Sequence, residues 1–220
     1  HYEHYCTQAD ALKLLPSLAD ILDEPMGDAS IIPTTLVCQL AAKEVDSVLS
    51  ADGPDELLGG YDKYFSLAKK KALFGWLPKF AIQPTRAIMQ SNFAAKLADS
   101  AGVYNAAQRL ERFSYMLGAQ EGELLKVNSS IFTPKELNQL LVQPPSDLPT
   151  NFDAPLGENI IENAMALDFT TSALDAVLAK VNRAATFAGI KNFEPVQNQA
   201  LIEHLIRLPF NYKINQGNKK

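Results

Sequence analysis

Three carboxylates fall within one short run, Ser50-Ala51-Asp52-Gly53-Pro54-Asp55-Glu56. Asp52, Asp55 and Glu56 supply hard oxygen ligands, in a stretch that also carries the Ser50 hydroxyl and the freely turning Gly53. Such a set suits Mg²⁺, above all where a phosphate completes the coordination shell. The same spacing has a purely structural reading, in which Asp55 caps a following helix and Glu56 favours its N-terminal dipole. Spacing leaves both readings open. Asp23-Glu24-Pro25 is a second acidic run and reads as a solvated turn. Gly59 and Gly60 each cost on the order of 1 kcal/mol relative to Ala in a helical context, which a close helix crossing would offset. His1, His4 and His204 lack metal-ligand spacing. Lys69-Lys70-Lys71 reads as a solvated helix face, and no Ser-His-Asp arrangement is present.

The elements around the acidic run place it at the end of a strand. Leu12, Leu14, Leu15, Leu18, Ile21 and Leu22 recur at near-helical intervals and predict a helix over 8–22, complicated by Pro16. After a Pro- and Gly-containing loop, Asp28 or Ser30 caps a helix with Pro33 in its first turn and an apolar stripe of Leu36, Val37, Leu40 and Ala41, ending near Lys43 or Glu44. Val45 to Ser50 reads as a short buried strand, and a helix starts after Glu56. Helix, strand, tight turn and helix in that order give an α/β class, and ligands in open α/β sheets bind at the carboxyl ends of the strands. From Tyr64 on the pattern is almost wholly helical, with stretches near 84–100, 105–118, 134–141, 157–188 and 196–208 and a proline-rich loop at 144–149.

Composition narrows the function classes. The 220 residues are 47% hydrophobic and 20% charged, as expected of a globular chain able to bury a core without disulfides. The net charge of −5 argues against a general nucleic-acid binder, whose affinity rests on a basic face. No apolar run approaches the roughly 20 residues that span a bilayer. Two cysteines, Cys6 and Cys38, without zinc spacing or a paired framework, point to a reducing, cytoplasmic compartment. The chain starts at His1 and is expected to begin inside a longer polypeptide.

The run Ser50 to Tyr61 resembles the S-G-[ED]-G-x-D-E-hydrophobic-F-G-G-Y segment of the asparagine synthetase family. Upstream, Asp23-Glu24-Pro25-Met26-Gly27-Asp28-Ala29-Ser30 with Ile32-Pro33-Thr34 is similar to that family's D-E-P-x-x-D-x-S-x-I-P-T segment, in the same order. Weaker resemblance extends to His1–Tyr5, Asp175–Arg183 and Leu208-Pro209. The resemblance implies a partial Rossmann-like parallel sheet of the adenine nucleotide alpha-hydrolase kind. Residues 1–64 would then be the last part of a nucleotide-binding α/β lobe and 65–220 a larger helical lobe of the same synthetase-like domain. It also implies an ATP- and Mg²⁺-dependent ligase that adenylates a carboxylic acid and passes ammonia or an amine to it. Under that resemblance Ser50, Ala51, Asp52 and Gly53 line the adenylate, Asp55 holds the metal, Asp52 takes a proton from the attacking amine, and Lys220, in Gly217-Asn218-Lys219-Lys220, stabilises pyrophosphate and the tetrahedral intermediate. The implied partners are an acid substrate, ATP and a glutaminase domain or subunit as ammonia source, with a homo-oligomer left open.

The departures from the family pattern are specific. The pyrophosphate loop S-G-G-x-D-S occurs nowhere in the chain, and neither Cys6 nor Cys38 matches the leading cysteine of a glutaminase. Ala51 and Pro54 stand where Gly is common, and Pro54 removes an amide donor. After Arg183, only Pro195 survives from the expected E-x-R-x-P-F-x-D pattern, which leaves aspartate open as the acid. The alternative to a fragment of a divergent ligase is an inactive synthetase-like scaffold or regulatory protein.

Overall fold

The computed structural model describes residues 2–143, 152 and 156–214. It is mixed α/β and mostly helical, and it divides into two compact units. One unit holds the described residues up to Gly60 together with those from Met165 onward, and the other holds Tyr61 to Ala164. The cut therefore runs differently from the expected lobes 1–64 and 65–220, because the segment after Met165 packs with the start of the chain.

The first unit begins with α1 (Gln8–Leu14), capped by Thr7, whose hydroxyl accepts from Asp10 N while the Asp10 carboxylate accepts from Thr7 N. Pro16 then tightens the chain into a 3-10 turn at Leu15–Ser17 before α2 (Leu18–Ile21), so the single helix expected over 8–22 is interrupted where proline removes a donor. Next come α3 (Ile31–Ala41), β1 (Ser47–Leu49) and α4 (Pro54–Leu58). The other contribution starts inside α11 (Ile160–Asp168), passes through a π-helical stretch at Phe169–Leu178 into α12 (Ala179–Phe187), and continues with β2 (Lys191–Phe193), a 3-10 turn at Pro195–Gln197, α13 (Gln199–Arg207) and α14 (Phe210–Lys213).

The sheet consists of two described strands, β1 parallel to β2, with Ser47 opposite Lys191 and Leu49 opposite Phe193. Val48 packs on a core made by Leu14, Ile21, Ile31 and Cys38 from one side of the sequence and Ala184, Ala185 and Ile190 from the other. Ala184 and Ala185 let α12 lie close against α3. Cys38 is part of this core, and burial pushes its thiol above the usual range, which makes it an inert packing residue.

The second unit is helical: α5 (Asp62–Gly75), α6 (Lys79–Met89), α7 (Asn92–Ser100), α8 (Ala106–Met116), α9 (Glu121–Ser129) and α10 (Pro134–Leu140). α8 packs against α6, α7 and α9, and Arg86 ties two of them by donating to the Ser114 and Leu117 carbonyls at 3.0 and 3.2 Å. Tyr64, Leu67 and Met116 are among its fully buried side chains. Within the lysine run, Lys70 donates to Asn128 and Lys71 pairs with Glu121, so two of the three expected solvated lysines are engaged within the unit. The loop at 144–149 lies outside the described residues.

Candidate functional site

Parallel pairing sends the chain out of β1 and β2 on the same side. The ladder continues one residue past the strands, where Ser50 N donates to the Phe193 carbonyl at 2.9 Å. Residues 50–53 and 194–197 therefore leave the sheet side by side. Gly53 occupies the left-handed region at φ 97° and serves as N-cap of α4, with Pro54 in the first turn, where its missing amide costs nothing. The Asp55 carboxylate makes no cap bond. The capping reading of Asp55 is thereby replaced by a different arrangement, in which glycine geometry starts the helix and Asp55 is exposed.

Gly60 explains where Asp55 points. Its amide donates to the Asp55 carbonyl at 3.0 Å, and a β-carbon on Gly60 would collide with Asp55 Oδ1. Gly59, at φ 73°, closes α4 and faces Ile214 and Met165. The glycine pair thus combines a helix stop with a seat for one carboxylate.

β2 and the turn that follows it contribute three further side chains, Asn192, Glu194 and Gln197, to which no role was assigned from sequence. Gln197 Nε2 donates to the Asp52 carbonyl at 3.0 Å. Asn192 Nδ2 donates to Glu194 Oε1 at 2.8 Å and reaches Ser50 Oγ at 3.4 Å. Glu194 is half-buried, and desolvation, followed by the charge of Asp52, raises its pKa. No Lys or Arg among the described residues pairs with Asp52, Asp55 or Glu194. Asp52 and Glu194 therefore lie near enough for the charge of one to act on the other at this edge of the sheet.

Among the described residues no group of three His, Cys, Asp or Glu side chains converges to hold a metal unaided. Asp52, Asp55 and Glu56 do not form a cage: Asp55 is exposed, while Glu56 is buried at 3% exposure. One open carboxylate still fits Mg²⁺, which is commonly held by one or two carboxylates together with substrate phosphates and water. His4 lies 4.0 Å from Asp10, in keeping with a surface contact. His1 and Lys220 lie outside the described residues.

The Asp23–Ser30 segment is tied down by α12. Lys180 Nζ, 13% exposed, donates to Asp28 Oδ2 at 2.8 Å and to Ser30 Oγ at 2.7 Å, and Ser30 N donates to Asp28 Oδ1 at 2.9 Å. Arg183 pairs with Asp23, so that residue of the solvated turn is held. Lys180, then Ser30, hold the Asp28 carboxyl down at about 2, below its ordinary 3.8. A depressed carboxylate stabilises the fold above its unfolded pKa and loses that contribution as pH falls through the folded value. The shift corresponds to roughly 2 kcal/mol, or about 1 kcal/mol once screening is allowed for at a side chain 37% exposed. Asp28→Asn should therefore cost about 1 kcal/mol at pH 7 and flatten the loss of stability between pH 4 and 2, as urea unfolding at a series of pH values would measure.

Comparison with known proteins places these features in a family. The family model described as Asparagine synthase matches residues 1–220. The chain is 39% identical over 80 residues to "Putative asparagine synthetase (glutamine-hydrolyzing) 2" of Methanocaldococcus jannaschii, a stretch covering 36% of this chain and 15% of that protein. It is 42% identical over 65 residues to "Putative asparagine synthetase (glutamine-hydrolyzing)" of Mycobacterium bovis, covering 30% of this chain and 10% of the relative. It is also 42% identical over 50 residues to "Asparagine synthetase (glutamine-hydrolyzing) 1" of Bacillus subtilis, covering 23% and 8%. The chain thus matches less than a sixth of the length of these curated relatives. No solved structure gives a significant match.

Proposed function

The chain belongs to the asparagine synthase family, and from that premise we propose that it is part of an ATP-dependent amide ligase. The ligase adenylates a carboxylic acid, aspartate or a relative, and transfers ammonia or an amine to it. The observation that carries this reading is the loop Ser50–Gly53 at the carboxyl end of a parallel strand, carrying Asp52 and followed by the exposed Asp55.

In this reading the two described strands belong to a larger Rossmann-like sheet. Ser50, Ala51, Asp52 and Gly53 line the adenylate, with Gly53 allowing the backbone to approach closely. A substrate carboxylate oxygen attacks the α-phosphorus of ATP, and the bond to pyrophosphate breaks. The amine nitrogen then attacks the acyl carbon, the bond to the phosphate oxygen of AMP breaks with its electron pair, and a nitrogen proton passes to Asp52. Asp55 would hold Mg²⁺, which supplies charge neutralisation on the phosphates. Lys220 would supply fixed positive charge to pyrophosphate and the tetrahedral intermediate. The pyrophosphate loop has to come from outside these 220 residues, and a glutaminase domain or subunit would deliver ammonia.

The test is Mg²⁺-dependent exchange of labelled pyrophosphate into ATP by the whole natural protein, against a panel of carboxylic acids. Acid-dependent exchange is the expected result. A folded protein that neither exchanges nor binds ATP would overturn the reading in favour of an inactive scaffold.

A further inference from the structure

We infer that Gln197 is a positioning residue for the Asp52 loop, a tether whose donated hydrogen bond holds that loop against the exit of the neighbouring strand. The inference rests on the proposed ligase reading for its effect on catalysis, but the tether itself stands on geometry. Gln197 Nε2 donates to the Asp52 carbonyl at 3.0 Å across 145 residues of sequence. The same amide lies where a β-carbon on Gly53 would stand, so Gly53, required for its φ of 97°, also leaves the space that the Gln197 amide fills.

The base of the tether is fixed. Gln197 N donates to the Glu194 carbonyl at 2.9 Å in the 3-10 turn after β2, and the next residue, Asn198, caps α13 through its side chain. Its free end meets a backbone carbonyl that no strand or helix bond of α4 uses, since α4 begins with Leu57 N donating to the Gly53 carbonyl. A loop of four residues between a strand and a five-residue helix has few internal bonds to hold one conformation. An amide from a second, independently anchored turn supplies one. The backbone that carries Ser50 and Asp52 is held as a result, so Gln197 acts through the loop.

The substitution Gln197→Met keeps the volume over Gly53 and removes the donor, whereas Gln197→Ala removes both. In the whole natural protein, Q197M should speed deuterium exchange of the Ser50 and Leu57 amides at least roughly tenfold. It should also raise the KM for ATP at least about threefold in pyrophosphate exchange, a change that a mere loss of folded fraction would not produce. If Q197M retains wild-type protection and KM while Q197A loses both, the residue acts by packing and the tether is overturned. If the wild-type protein shows no exchange with any acid, the ligase reading fails by itself, and amide protection in Q197M still decides whether the tether exists.

Discussion

Asp55→Asn is expected, on the proposed ligase reading, to lower magnesium-dependent ATP–pyrophosphate exchange by the whole protein at least roughly a hundredfold, about 2.7 kcal/mol of transition-state stabilisation. The substitution keeps the shape of the side chain and removes its charge, so it isolates the metal role. Asp55 is exposed, makes no cap bond and has no cationic partner among the described residues, so little folding energy depends on it. Thermal unfolding should move by no more than a surface substitution does, within about 0.5 kcal/mol. The measurement is a magnesium titration of the exchange rate for both proteins, alongside a melting curve. Equal rates at every magnesium concentration would remove the metal from Asp55.

Gly60→Ala is the second large effect, and it reaches the same carboxylate from behind. The added methyl group would occupy the place of Asp55 Oδ1, with the Asp55 Cα only 3.2 Å away, so the carboxylate must swing to another rotamer. Exchange should fall roughly tenfold or more, and more magnesium should be needed to reach half the remaining rate. Gly75→Ala is the matched control, because a β-carbon there meets nothing within 4 Å. It should leave exchange at the wild-type level and be neutral or slightly stabilising, as Gly-to-Ala changes at helical positions are. A Gly60→Ala protein with unaltered magnesium dependence would show that the seat of Asp55 is immaterial.

The parts of this site that could be read from sequence are those held by local chemistry. The short Val- and Leu-containing run before Ser50 gave β1, slightly longer than the observed Ser47–Leu49, but not its burial, since Leu49 is 75% exposed and only Val48 packs on the core. The helix expected after Glu56 begins earlier, at Pro54, because Gly53 in the left-handed region starts it. Pro33 falls in the first turn of α3, as its fixed φ requires. β2 was not legible. Lys191-Asn192-Phe193 has exposed ends and a half-buried Asn in the middle, so it carries neither alternation nor an apolar run. Its strand character comes from pairing with β1 and from the helix stop at Gly189, whose φ is 77°. With β2 missed, Asn192, Glu194 and Gln197 had no reason to be placed beside Asp52. Gly189 and Pro195, bracketing a short stretch after a long helical pattern, were the one local signal that could have raised the segment for attention. The ion pairs of Lys180 with Asp28 and of Arg183 with Asp23 were likewise invisible, since tertiary packing of α12 on α3 creates them.

The pairing of Ser47 with Lys191 also orders events in time. A ribosome adds about 5–20 residues per second, so the strand carrying the Asp52 loop waits on the order of 7–30 s for its neighbour to be synthesised. Residues 61–164 are complete before the partner strand exists. During that interval the apolar face of α3, including Ile31 and Cys38, lacks the alanines of α12 that later cover it. Nascent chains stalled before Ala184 should therefore recruit hydrophobic-segment chaperones, and release of those chaperones should coincide with emergence of β2.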